Sequence, residues 1–206
     1  IRNGLWQCSW GAALSARARD GKGLAAADRR GQEAAMHPLM LHGSCDAGPV
    51  RAVTAAIVPR AQGCTATFRI EGTIGAIAVP PPAPPARRDG LWQTTCCEIF
   101  WQPPGGSAYR EFNLSPSGAF AAYDFDSWRE GMRDAPLDAI AIACAQDAGA
   151  LELEASIAAM LETPAQVGLS TVIELANGRK QYWALAFPPG APDFHSEAGR
   201  TLIIER

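Results

Sequence analysis

The chain has 206 residues, of which 48% are hydrophobic and 19% charged, a composition typical of a globular protein, and its length favours one domain. The 18 basic and 21 acidic residues leave a net charge of −3 without long runs of like charge, which excludes a nucleic-acid partner. No window approaches the roughly 20 apolar residues that span a bilayer, and the N-terminus lacks the apolar core of a secretory signal. We therefore expect no membrane partner and a cytoplasmic location.

The chain divides near Met36. Residues 1–35 are rich in Ala, Arg and Gly and sustain neither helical nor strand periodicity, so the sequence predicts a disordered or poorly ordered extension there. A flexible targeting arm is the alternative, because arginines and alanines with few acids are typical of transit peptides. Residues 36–206 are predicted to form the folded domain.

Short segments with period-two alternation follow, separated by turn residues. CTATFRI alternates Cys64, Ala66, Phe68 and Ile70 with polar residues, which indicates a strand with one buried face, and LELEASI at 151–157 repeats the pattern. Asn177-Gly178, between VGLSTVIEL and KQYWALAF, predicts a β-hairpin with a type I′ turn. Further strands are predicted at 50–58, 73–79, 96–101, 107–114, 119–125, 139–145 and 200–205.

These strands define the fold class. About ten or eleven short strands with frequent Gly and Pro, and no alternating helices, predict an all-β protein, an antiparallel β-sandwich. The proline run at 79–88 is predicted to be a stiff crossover between the sheets, since proline cannot join a strand ladder; a polyproline recognition segment is the alternative.

The six cysteines show no CxxC pair and no regular spacing, so the sequence predicts buried free thiols and no metal site. Cys96 and Cys97 are adjacent, and neighbouring side chains of a strand point to opposite faces, so we expect no bridge between them.

Three segments carry a resemblance: LWQTTCCEIFWQ (91–102), YREFNLSPSGAFAAYDFDSWREGM (109–132) and GLSTVIELANGRKQYWALAFPPGAPDFH (168–195). They resemble the bacterial DOMON-like domains related to the family 9 carbohydrate-binding modules, and the resemblance covers nearly all of 36–206. It implies a β-sandwich, in a wider superfamily that includes sugar binders and haem binders.

Polar residues gather on one face of the predicted strand 107–114, where Tyr109, Glu111 and Asn113 alternate with apolar residues. Glu98 from 96–101 and Trp183 from 180–187 are predicted to join them. An indole covers the apolar face of a sugar, and carboxylate and amide groups bind its hydroxyls, so this set predicts a non-catalytic module that binds a small molecule, a carbohydrate or glycan precursor.

The candidate ligand-binding residues are Trp92, Glu98, Tyr109, Glu111, Asn113, Tyr123, Trp183 and His195. In the alternative interpretation the tryptophans belong to the core and the glutamates accept backbone hydrogen bonds. Glu98 and Glu111 also have the chemistry of a glycosidase acid and base, but the chain lacks GxSxG and HExxH motifs, and we predict no enzyme.

Two further functions stay open at this point. A haem-binding electron-transfer domain would need axial ligands such as Met132, Lys180 or His195, so haem is the one cofactor considered. The other alternative is a structural or interaction domain whose pocket has closed. The sequence leaves the oligomeric state open.

Overall fold

The computed structural model describes residues 35–205, which form twelve β-strands and three single-turn 3₁₀ helices. Of the predicted extension at 1–35, residues 1–34 lie outside the described residues. The strands are β1 His37–Leu41, β2 Val50–Arg60, β3 Gly63–Gly72, β4 Cys96–Gln102, β5 Tyr109–Leu114, β6 Phe120–Phe125, β7 Arg133–Asp134, β8 Ala139–Gln146, β9 Ala150–Ala158, β10 Ala165–Glu174, β11 Lys180–Ala184 and β12 Leu202–Ile204. The 3₁₀ helices are Ile74–Ala76, Leu91–Gln93 and Glu197–Gly199.

The strands form one curled antiparallel sheet in the order β7-β6-β5-β4-β10-β11-β1-β2-β3-β9-β8, with β12 paired to β10. Because β1 pairs with β11 on one side and β2 on the other, it joins two layers. We call β4–β7 with β10–β12 the front layer, and β2, β3, β8 and β9 the back layer. Their facing side chains form one hydrophobic core, so the predicted antiparallel β-sandwich is confirmed.

Period-two alternation predicts the faces of the strands well. Cys64, Ala66, Phe68 and Ile70 of β3 are all buried in the core, and the residues between them lie on the outer side of the back layer. In the front layer Cys97 faces this core, whereas the adjacent Cys96 belongs to a separate cluster on the other face. The two thiols are buried and outside any disulfide, as predicted.

The predicted strand at 73–79 is wrong. Ile74–Ala76 is a 3₁₀ turn, and its neighbours donate outside any ladder, as when the Thr73 amide binds the Pro49 carbonyl. Ile74 and Ile77 are both buried, and their spacing of three residues matches a 3₁₀ turn. The sequence analysis also missed β1 and the two-residue β7.

The proline-rich segment at 79–88 runs from the back layer, which ends at β3, to the front layer, which begins at β4. Its backbone is tied to the start of β6 at a few points: the Ala83 amide binds the Ser117 carbonyl, and Phe120 exchanges backbone hydrogen bonds with Ala86 and Arg88. The segment is therefore a crossover between the layers, as predicted, and it borders the start of β6.

The hairpin that joins β10 and β11 is confirmed, but its turn is not type I′. Gly178 has φ of 81°, in the left-handed region, whereas the φ angle of Asn177 is not positive. The Gly178 amide donates to the Leu175 carbonyl, and the Asn177 side chain accepts from the Arg179 amide. The turn is thus a three-residue type that needs a left-handed residue only at Gly178.

Gly178→Ala is expected to cost about 1 kcal/mol of unfolding free energy, because a Cβ there meets no atom but is strained at positive φ. Gly43→Ala is the matched control, since a Cβ at Gly43 also meets nothing and its φ is not positive. Urea unfolding of both variants measures the difference. Equal losses would contradict the turn assignment.

Candidate functional site

The central strands of the front layer, β4 and β5, are buried on both faces. On the outer face of this layer the side chains form a second hydrophobic group, which we call the outer cluster, and Phe194 from the loop after β11 packs against it. The sequence predicts a polar surface on this face, and that expectation is wrong, because the face carries apolar side chains and Phe194 and His195 pack over it. The outer cluster consists of Leu91, Cys96, Phe100, Tyr109, Ala119, Ala121, Tyr123 and Phe125.

Three of the predicted site residues meet on this outer face. Glu98 of β4 lies opposite Asn113 of β5, and the Asn113 side-chain amide donates to Glu111 Oε1 at 2.6 Å. Ser170 of β10 donates to Glu98 Oε2 at 3.2 Å. All four side chains are buried, so they bind each other and not the solvent. The predicted grouping is present, beneath the surface.

Burial controls the charge of the two glutamates. Removal from water raises the pKa of Glu98 well above its ordinary value, and the neighbouring Glu111 raises it further. Burial likewise raises the pKa of Glu111 to about 7, although the hydrogen bond from Asn113 opposes the shift. Burial thus favours the protonated form of both carboxyl groups, and their mutual repulsion opposes ionisation of the two together.

His195 closes this group from the loop side. Its ring packs against Phe100 and Phe125, and its Nδ1 lies 2.7 Å from the Tyr109 hydroxyl. That hydroxyl oxygen also accepts from the Arg129 amide at 3.2 Å. A neutral ring protonated on Nε2 accepts from the Tyr109 hydroxyl at Nδ1 and directs its N–H toward Glu111 Oε2 at 3.7 Å, so this tautomer satisfies both contacts.

The neutral form of His195 is favoured by its surroundings. Burial lowers its pKa to about 4, and the nearby Arg129 and Arg200 lower it as well. His195 is consequently a hydrogen-bond donor through Nε2 near neutral pH, and not a cation.

Arg200 forms the base beneath His195. Its guanidinium lies 4.2 Å from the centre of the Tyr109 ring, donates to Gln102 Oε1 at 2.8 Å and donates to the His195 carbonyl at 2.8 Å. The side chain is buried and makes no ion pair within the described residues, so its charge is held by a ring face and by carbonyl groups. These contacts fix the loop that carries His195.

Trp183 is placed differently from the prediction. It pairs with Thr171 in the ladder, lies only 6% exposed in the core between the layers, and donates to Gln181 Oε1 at 3.3 Å. Thr171 in turn pairs with Cys97, the neighbour of Glu98, so Trp183 and Glu98 point to opposite faces of the front layer. Trp183 is therefore a core residue, and its predicted place beside Glu98 is wrong.

Trp92 and Tyr123 lie together at the edge of the outer cluster. The Trp92 ring is 40% exposed and meets the Tyr123 ring edge-on, with the centroids 6.3 Å apart. The Tyr123 hydroxyl donates to Asp89 at 2.6 Å, which anchors the segment that carries Trp92. Tyr123 is itself buried, so only Trp92 of this pair presents a ring to solvent.

A depression of about 500 Å³ opens between the loop after β6 and the loop before β12. Trp128 stands at its rim with 60% of its surface exposed. Sequence analysis selected Tyr109 and His195 but missed the others, although a tryptophan within the turn segment SWRE is a recognisable signal for an exposed aromatic residue. The depression is lined by Ser107, Tyr109, Ser127, Trp128, Glu130, His195, Ser196, Glu197 and Arg200.

The residues considered as haem ligands are dispersed. Met132 is exposed before β7, whereas His195 packs on Phe100 and its Nδ1 is bound to Tyr109. Lys180 pairs with Glu174, beyond the opposite end of β4. Within residues 35–205 no group of three or more His, Cys, Asp and Glu side chains is arranged to hold a metal ion, and no helix is long and apolar enough to cross a membrane.

Trp183 and Trp128 test whether the core and surface positions of these two side chains are assigned correctly. Trp183→Ala is expected to cost about 3–5 kcal/mol of unfolding free energy, because it leaves a cavity in the core. Trp128→Ala should cost about 1 kcal/mol or less, since that ring is mostly exposed. Urea unfolding measures both, and similar losses would place Trp128 in the core as well.

Glu111→Gln tests the pKa of Glu111. Between the ordinary value of 4.5 and about 7 the folded chain holds this proton more tightly than the unfolded chain, so stability is lost as the pH rises through that window. The glutamine variant has no carboxyl group to titrate at this position and lacks this loss. As the pH rises from 4.5 to 7.5, its unfolding free energy should therefore increase by about 2–3 kcal/mol relative to that of the unchanged chain. Urea unfolding across the window measures the gain, and parallel curves would contradict the raised pKa.

Comparison with known proteins identifies relatives by fold. The chain matches no protein-family model and no curated protein sequence. A solved structure of a protein from Bacteroides uniformis ATCC 8492, for which carbohydrate binding has been proposed, is similar with a TM-score of 0.57 and 13% identity, covering 82% of this chain and 84% of that one. A family 9 carbohydrate-binding module from Caldicellulosiruptor kristjanssonii, in complex with cellotriose, has a TM-score of 0.45 and 10% identity, covering 76% and 75%. The chain therefore shares its β-sandwich fold with the Bacteroides uniformis protein.

Proposed function

We propose that this protein is a non-catalytic carbohydrate-binding module, and that its ligand occupies the depression beside Trp128. The observation that carries the proposal is the exposed Trp128 ring at the rim of a cavity of about 500 Å³. An exposed indole beside a concave, largely polar lining is an arrangement typical of ligand sites.

The polar lining suits a polyhydroxylated ligand. Glu130 and Glu197 supply carboxylate acceptors, and Ser196 supplies a hydroxyl group. An indole offers a flat apolar face to the C–H groups of a sugar ring, while the surrounding groups bind its hydroxyls in fixed directions. The carbohydrate binding proposed for the Bacteroides uniformis protein of the same fold supports the same ligand class.

Glu98 and Glu111, the two glutamates with the chemistry of a glycosidase acid and base, are buried and not placed for hydrolysis. A glycosidase needs two carboxyl groups on either side of the bond that it cleaves. Glu98 is buried beneath the loop that carries His195 and is tied to Ser170, so it cannot flank a ligand in the depression. We therefore assign Glu98, Glu111 and Asn113 to the support of the site and not to contact with the sugar.

The experiment begins with a glycan array and continues with calorimetric titration of cellotriose, xylotriose, mannotriose and tri-N-acetylchitotriose. Trp128→Ala is expected to weaken binding of the recognised sugar by about 1–3 kcal/mol, because the stacked apolar area is lost. Met160→Ala is the control, since that side chain is 90% exposed and does not line the depression.

Two results would contradict the proposal. One is the absence of any glycan signal on the array. The other is a signal that Trp128→Ala leaves unchanged, which would move the sugar away from the depression. Haem is titrated in parallel and followed by its absorbance; a specific shift abolished by His195→Ala but retained in Trp128→Ala would favour the haem-binding alternative.

A further inference from the structure

One carboxylate ties together the two loops that border the depression. Asp193 Oδ2 accepts from the Trp128 indole nitrogen at 2.8 Å, and Oδ1 accepts from Arg129 Nη2 at 2.9 Å. Oδ1 also accepts from the His195 amide at 3.2 Å. Asp193 does not line the depression, yet it contacts three residues in or beside it.

The loop after β6, which carries Trp128, has an energetically unfavourable backbone conformation at Arg129. Arg129 has φ of 58°, a left-handed conformation that is unfavourable for any residue with a side chain. Its amide is fixed by the Tyr109 hydroxyl, and its guanidinium by Asp193. Such conformations persist only where the surroundings enforce them, and they cluster at binding sites. The side chain of the preceding residue, Trp128, consequently projects from the loop in a defined direction.

The contacts of Asp193 with Trp128 and Arg129 favour its ionised form. Partial burial disfavours the carboxylate, but the hydrogen bonds from Trp128 and Arg129 outweigh burial and lower its pKa below the ordinary value. Asp193 is therefore ionised near neutral pH and accepts strong hydrogen bonds from both donors.

We propose that Asp193 is a positioning residue for ligand binding, which fixes the Trp128 ring and the Arg129 guanidinium against the loop that carries His195. The inference rests on the proposed function for its ligand. Without Asp193, an indole that is 60% exposed would have no hydrogen-bond partner within the described residues to select one orientation. The sugar would then have to order the ring on binding, which weakens affinity.

Asparagine cannot replace this carboxylate. The two carboxylate oxygens serve three donors, whereas an asparagine side chain offers one acceptor and one donor group. In Asp193→Asn the side-chain NH₂ group would face either the Trp128 indole N–H or the Arg129 guanidinium. Both groups in that pair would then be donors, so that hydrogen bond would be lost. The variant keeps the volume of the native side chain, so it tests the contacts with little effect on packing.

The first measurement needs no ligand. Nuclear magnetic resonance of ¹⁵N-labelled protein gives the order parameter of the Trp128 indole N–H, identified by its loss in Trp128→Ala. In Asp193→Asn it is expected to fall from the rigid range near about 0.85 to below about 0.6. Asp126→Asn is the matched control, because it changes the same residue type beside the same loop and breaks only the exposed ion pair to Arg133. An unchanged order parameter in Asp193→Asn would overturn the proposal.

The second measurement is a double-mutant cycle with the trisaccharide that binds the unchanged chain. Asp193→Asn is expected to weaken binding about tenfold, but only about twofold or less when Trp128 is already alanine. Full additivity would show that Asp193 does not act through Trp128 and would overturn the inference. If no trisaccharide binds the unchanged chain, the proposed function fails, whereas the order parameter still decides whether Asp193 holds the ring.

Discussion

The structure depends on the burial of β4 on both of its faces. All seven residues of Cys96–Gln102 are buried, with Ile99 and Trp101 in the core between the layers and Cys96 and Phe100 in the outer cluster. A strand in this position cannot leave a polar side chain to the solvent, so each one must find a partner within the protein. Glu98 and Gln102 are therefore joined to Ser170 and to Arg200, and these contacts extend the order of the sheet into the loops.

This requirement links the interior to the surface through a short series of contacts. Glu111 lies between Asn113 below and His195 above, and His195 is oriented by Tyr109 and held by Arg200 through its backbone carbonyl. Within this series burial favours the uncharged forms of Glu111 and His195, whereas the cation of Arg200 lies against the Tyr109 ring and two carbonyl groups. Asp193 and the half-exposed Arg129 form an ion pair nearer the rim, where water still reaches them.

The sequence predicts which residues of a single strand are buried, because that depends on the period of the strand. It does not predict which residues of different strands share a face, because that depends on how the strands align. Alternation within β3 is enough to place Phe68 in the core, and Asn177-Gly178 is enough to predict a hairpin. The relative faces of Glu98 and Trp183 depend on how β4, β10 and β11 align, and a shift of one residue exchanges the faces. Trp128 and Asp193 are far apart in the chain and meet only because two loops converge, which no local pattern encodes. Ile74 shows the converse case, in which apolar residues resemble a strand but their hydrogen bonds come from distant loops.

The position of β1 has a consequence for how the chain is made. β1 pairs at Leu41 with Trp183 of β11, and it is this pairing that closes the two layers into one sheet. On the ribosome the hairpin β2–β3 and the meander β4–β5–β6 can assemble early, because their partners are close in sequence. β4 must wait for β10, and β1 for β11, so the apolar faces of both layers stay open until nearly the whole chain has emerged. Until β10 and β11 have been synthesised, these open apolar faces are the surfaces through which unfinished chains can associate.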